Sequence, residues 1–283
     1  MKIRKPQPAE LTTVIHFIYI HSQDASTASL YCYQTYSDIE KEITWLYDQG
    51  HPFLGAFEND KLLDIVFGFQ VPNQNRIDVS GPFLTRFGMQ ANADVLLSCF
   101  LNVLPLKTLY FYFEGANKGL AELLMKHGAV DQGDEYRMQI NRDQCKTCRL
   151  SSSIRSIINT EKMSFVKMFR HTMGTLYISG EEILNDNNRI VQLYHKDSSI
   201  CGFIVLKHPS HESAIIEMIG IDERFQNQGL GHILLSHALF TLCNTFNPQV
   251  IELIVDAANT RALHLYESFG FQIIKEHKSY ILI

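Results

Sequence analysis

The stretch NTRALHLYESFGF, Asn259 to Phe271, decides how this sequence is read. It opens on Asn, carries Tyr266 seven residues on, and closes on Gly270 and Phe271. Asn favours a helix N-terminus and Gly a helix C-terminus, so the spacing predicts one short capped helix. The same cadence stands 142 residues upstream as NKGLAELLMKHGA, Asn117 to Ala129, with Leu124 where the tyrosine would be. An apolar run precedes each copy, TLYFYFE the first and VIELIVD the second, and each reads as a strand.

Working outward, the repetition extends to the whole chain. Lys2 to Lys5 reads as a strand, and Leu11, Val14, Ile15 and Ile18 share a helix face. Ser37 with Glu40 resembles a capping box ahead of Ile39, Ile43 and Leu46. PFLGAFE and LLDIVFGFQV flank an Asn59-Asp60 turn, a hairpin pattern. A strand at Arg76 to Gly81, the helix ADVLLSCFLNVL, the Asn117 helix and a strand at Tyr136 to Ile140 complete the half. The second half repeats the order. A strand at Ser153 to Ile158 precedes the helix TEKMSFVKMFRHTM and a Ser179/Glu182 capping box. RIVQLYH, the turn KDSS, ICGFIVLK and SAIIEMIGID follow, then a glycine loop, the helix HILLSHALFTLC and the Asn259 helix. FQIIKEHKSYILI is the last strand. Two copies offset by about 140 residues point to an internal duplication, with expected domains 1–145 and 149–283.

With 46% hydrophobic and 19% charged residues, the composition is that of a globular protein with a substantial core. A net charge of −5 offers no basic surface for a nucleic-acid backbone and is compatible with amine substrates. Pro6, Pro8 and Glu10 interrupt the N-terminal stretch before any signal-peptide core, and no run approaches the ~20 apolar residues of a membrane helix. The expectation is a cytoplasmic protein, with neither nucleic acid nor membrane as partner. Among Cys32, Cys99, Cys145, Cys148, Cys201 and Cys243, the one CxxC pair lacks a second pair or nearby histidines. It reads as two reduced linker thiols, not a metal site.

The loop DERFQNQGLGHILL has Gln226, Gly229 and Gly231 in Q-x-x-G-x-G spacing directly before a helix. A helix N-terminus presents unpaired N–H groups and suits an anion, and glycines let the backbone approach it. Leu234 stands where a dinucleotide fingerprint needs a third small residue, and His232 where a Walker loop needs lysine. On the loop alone, a pyrophosphate cradle and a bare strand-to-helix turn both stand.

Followed about thirty residues later by NTRALHLYESFGF, the loop resembles the GNAT family of acyl-CoA-dependent N-acetyltransferases over roughly Arg149 to the end. The resemblance implies an α/β fold of two tandem GNAT-like domains, each a mixed, mostly antiparallel sheet flanked by helices. It implies acetyl-CoA as co-substrate, with the loop Gln226, Asn227, Gln228, Gly229, Leu230, Gly231 and His232 around its pyrophosphate. Backbone groups of Ile219 and Ile221 would pair with the pantetheine arm, Asn259 would lie near it, and Tyr266 near the sulfur. Even spacing along a strand puts Glu217 on one face with Ile219 and Ile221, as a base acting directly or through water, or as a carboxylate on the solvent side. His232, His237 and His264 are weaker candidates for that base, and helix-surface positions account for them. Aligning ADVLL with GHILL sets Ala91 and Ala93 opposite Gly229 and Gly231. The first copy thus lacks both glycines and the tyrosine, and is expected to be a scaffold or to shape the acceptor site. The expected reaction is acetyl transfer to an amine of a small molecule or peptide, by a monomer or homodimer. A non-catalytic acyl-CoA-binding module and a tandem-GNAT aminoacyl transferase are the alternatives.

Overall fold

A computed structural model describes the chain except for residues 30–34, 84–89, 105–106, 146–148, 175–177, 198 and 208–211, and for residues 90 and 91 it gives the backbone alone. It divides into two compact units: Met1–Glu135 with Lys275–Ile283, and Tyr136–Ile274.

The first unit contains β1 (Lys2–Arg4), α1 (Leu11–Ser22), α2 (Tyr36–Asp48), β2 (Phe53–Glu58), β3 (Lys61–Gln70), β4 (Arg76–Ser80), α3 (Gln90–Asn102), β5 (Thr108–Glu114) and α4 (Lys118–Lys126). The turn between β2 and β3 has both Asn59 and Asp60 at positive φ, the twist a two-residue hairpin needs. Neighbours from β1 to β4 pair antiparallel, and β4 to β5 pairs parallel. The strands alternate, so two cores form on opposite faces. Val14, Ile18, Ile39 and Ile43 of α1 and α2 meet Phe53, Ile65 and Phe67 on one. Leu96, Leu97, Phe100 and Leu124 of α3 and α4 meet Ile77, Val79 and Phe111 on the other. The cap of α2 is Thr35, whose hydroxyl accepts the Asp38 N–H at 3.2 Å, so the expected cap Ser37 lies inside the helix.

The second unit repeats the scheme with β7 (Ile154–Ser156), α5 (Lys162–Met173), α6 (Gly180–Asn185), β8 (Arg189–Lys196), β9 (Ser199–Lys207), β10 (Ser213–Ile221), α7 (Leu230–Thr241), β11 (Val250–Asp256) and α8 (Thr260–Ser268). Again three antiparallel pairings lead to one parallel one. The Ser179/Glu182 capping box is present at α6. Leu234, Leu235, Ala238 and Leu239 of α7 are fully buried, each leucine stabilising by about 1.5–3 kcal/mol.

The expected boundary at 145/149 differs from the observed one at two strands. β6 (Val130–Asn141) leaves the first unit at Glu135 and enters the second at Tyr136, where Met138 and Ile140 join the α7 core. β12 (Gln272–Leu282) does the reverse. From His277 to Leu282 it pairs antiparallel with β5, and Tyr280 stacks on Phe113 at 5.6 Å. Apolar alternation marks these runs as strands but says nothing of which sheet they join.

Candidate active site

Three features of the second unit meet at the C-terminal end of β10. The parallel register of β10 and β11 covers three pairs, Ser213–Ile215 with Val250–Glu252, while β10 stays bonded to β9 as far as Ile221. Between β10 and β11 the sheet therefore opens into a wedge, flanked by Ile219 and Ile221.

The glycine loop closes the wide end. Asn227 and Gly229 have φ of 60° and 78°, and Gly229 is the N-cap of α7. A side chain at Gly229 would have room but the wrong backbone. At Gly231 the limit is space: a Cβ would lie 3.3 Å from Leu265. The first N–H groups of α7 thus face outward without helical partners. The Gln226 side chain bonds the Ile221 carbonyl and that of Gln228 the Arg224 carbonyl, each at 3.2 Å, so both glutamines brace the loop. Arg261, at 3.5 Å from Gln226, brings a guanidinium to the rim. Arg261 lies inside the motif NTRALHLYESFGF, but nothing in its local spacing marks it as a residue of the rim.

Tyr266 lies on α8, 9% exposed, its ring 6.0 Å from that of Phe271. Burial pushes its hydroxyl up to about 12. Among the described residues that hydroxyl has no hydrogen-bond partner. Asn259 caps α8 by accepting the Ala262 N–H at 3.1 Å, as Asn117 caps α4 through Leu120 N–H at 3.1 Å.

Glu217 departs from expectation. A β-bulge between Ile216 and Met218 inserts it as an extra residue and breaks the even count along the strand. Ile219 and Ile221 pack toward α7, whereas Met218 packs toward α5 with Val191 and Val205. Glu217 points to that second side, where Arg189 grips both carboxylate oxygens at 2.7 and 2.8 Å and Lys207 lies at 3.8 Å. The carboxylate is thus neither on the Ile219 face nor solvent-facing, and its lone pairs are already engaged.

The histidines divide. The His232 ring lies tilted beside that of Phe269 at 4.5 Å, and His264 is exposed. His237, expected on the surface, is 6% exposed and accepts the Ser151 N–H through Nδ1 at 3.0 Å. Cys32 and Cys148 lie outside the described residues, and Cys145 hydrogen-bonds Cys243. Among the described residues no group of three or more His, Cys, Asp or Glu is placed to hold a metal, and no helix is long and apolar enough to cross a membrane.

Residues 154–271, which span the wedge, the glycine loop and Tyr266, match the model of the Acetyltransferase (GNAT) family. This segment is a GNAT acetyltransferase domain. Mycothiol acetyltransferase of Jonesia denitrificans is 34% identical over 96 residues, 34% of this chain and 30% of that protein. The Beutenbergia cavernae protein of the same name is 33% identical over 84 residues, 30% of this chain and 28% of its own. The matched stretch thus spans under a third of these relatives. A GCN5-related N-acetyltransferase from Sphaerobacter thermophilus superposes with a TM-score of 0.78 at 15% identity, over 99% of this chain and 95% of that one. A tandem GNAT protein from the clavulanic acid biosynthesis pathway gives 0.70 at 9% identity, over 99% and 98%. At such identities these two speak for the fold alone, that of tandem GNAT domains.

Proposed function

We propose that the chain is an acetyl-CoA-dependent N-acetyltransferase whose one active site is the β10/β11 wedge of the second unit. The observation that carries this reading is the Tyr266 hydroxyl, on a buried side chain and without a hydrogen-bond partner among the described residues, in a GNAT domain whose wedge opens beside the glycine-capped N-terminus of α7. The N–H groups from Gln228 to His232 would bind the pyrophosphate, with Arg261 adding charge at the rim. Backbone groups of Ile219 and Ile221 would take the pantetheine amides as a missing strand partner, with Asn259 beside the arm. A backbone N–H at the wedge would stabilise the oxyanion formed when the amine nitrogen adds to the thioester carbon.

Collapse of that adduct breaks the C–S bond and leaves a thiolate. Tyr266, held near 12, stays protonated throughout the working range and donates a hydrogen bond to the sulfur. Complete transfer of its proton to a thiol of pKa about 8.5 would be uphill by roughly 5 kcal/mol, so the hydroxyl acts by hydrogen bonding. With Glu217 clamped by Arg189, the proton of the attacking amine passes to water. The acceptor is an amine of a small molecule or peptide; the mycothiol acetyltransferase relatives favour the former.

Calorimetric titration with acetyl-CoA tests the reading. Micromolar binding at one site per chain, abolished in Gly229→Trp, is expected, followed by thiol release with an accepted amine. Binding undiminished in Gly229→Trp would remove the glycine loop from the site.

A further inference from the structure

The first unit has a wedge of its own, and the chain fills it. β4 and β5 pair over four positions, Arg76–Val79 with Thr108–Phe111, and then part toward Gly81 and Glu114. Into this gap runs the turn that follows α1. Thr27 N–H and Ala28 N–H both bond the Asp24 carbonyl, at 2.9 and 2.8 Å, and the Thr27 hydroxyl donates to the His21 carbonyl at 2.7 Å. The turn so closed delivers Thr27, Ala28 and Ser29 at 4%, 1% and 1% exposure. Ser29 Oγ accepts the Gly81 N–H at 2.7 Å. The Ala28 carbonyl accepts both the Glu114 N–H at 3.4 Å and the Asn117 side-chain amide at 3.3 Å.

Each of these donors has a counterpart in the second unit. Glu114 and Asn117 correspond to Asp256 and Asn259 through the 142-residue offset of the repeated motif. Thr108 and Val250 share that offset and face Arg76 and Ser213, so counting up β4 and β10, with Glu217 as the extra bulge residue, sets Gly81 opposite Ile219. The side-chain amide of Asn117 is buried and bonded, while Asn259 is exposed and its amide has no acceptor among the described residues.

We infer that the turn Asp24–Ser29 is a built-in occupant of the first unit's cleft, standing on the groups that the second unit leaves for the pantetheine arm, so that the chain carries one acyl-CoA site and not two. The assignment of the second unit's groups rests on the proposed function; the occupancy of the first unit's cleft does not. The plug satisfies three buried donors that would otherwise stand unpaired at a desolvation cost, and thereby lets the first unit fold without a ligand.

Residue-resolved amide hydrogen exchange on the full chain, without ligand and with saturating acetyl-CoA, tests this. The Gly81 and Glu114 amides should be protected without ligand and unchanged with it, and Ser29→Ala should speed Gly81 exchange about 10-fold by removing its acceptor. Fast exchange at Gly81 and Glu114 in the free wild-type chain would overturn the inference, and that measurement needs no variant to fold. Protection gained there on adding acetyl-CoA, or two acetyl-CoA molecules bound per chain, would overturn it as well. Protected Gly81 and Glu114 amides with no acetyl-CoA bound would sustain the plug and defeat the proposed function instead.

Discussion

At the scale of single residues, Tyr266 has its hydroxyl pushed up to about 12 by burial. The side chain is buried and its hydroxyl has no hydrogen-bond partner among the described residues, so Tyr266→Phe should leave the urea midpoint unchanged or higher while lowering kcat by ~10²–10³-fold. An unchanged kcat in single-turnover thiol release would remove Tyr266 from the chemistry. Glu217 was legible as a strand residue, but a one-residue bulge turned it to the other face, onto an arginine 28 residues away in sequence. Arg189→Met should destabilise the chain by about 1.5–3 kcal/mol, because it removes two charge-assisted hydrogen bonds from a carboxylate that is 7% exposed. The thiol pair gives a pH signature. Cys243 is pushed down to about 7, first by its hydrogen bond with Cys145 and against the effect of burial. Its thiolate fraction rises as pH passes 7, so alkylation followed by mass spectrometry should show a midpoint near 7 for Cys243. That midpoint should move upward in Cys145→Ala, which removes the hydrogen-bond donor.

At the scale of elements, caps and turns were the most legible features, because their chemistry is local. Asn59-Asp60, the Ser179/Glu182 box and the two Asn caps all require only neighbours within a few residues. The cap of α2 is Thr35 and not the expected Ser37: each has an acidic residue three places on, and only backbone geometry chooses between them. The two Asn caps allow a measurement. Asn259→Ala should cost about 1 kcal/mol as a lost cap, and Asn117→Ala about 2 kcal/mol because it also removes one of the two hydrogen bonds to the buried Ala28 carbonyl. Equal losses in urea denaturation would mean that the Asn117–Ala28 bond contributes nothing.

At the scale of the whole molecule, the duplication is plain in sequence while the units it builds are not contiguous pieces of chain. A fragment of residues 1–145 lacks β12, so β5 is left an open edge bearing Leu109, Phe111 and Phe113. A fragment of residues 149–283 lacks Met138 and Ile140 from the α7 core. Both should be insoluble or molten alone by near-UV circular dichroism; a sharp cooperative transition in either would contradict the division of β6 and β12 between the units. The sequence by itself determined the repeat, the element order, the caps and the glycine loop before α7, since each depends on residue type and short-range spacing. Only the tertiary structure decided which sheet each shared strand joins, which way Glu217 turns and what lies in the first unit's cleft. Strand partners, bulges and buried loop contacts arise from packing between residues far apart in the chain, and no local pattern records that packing.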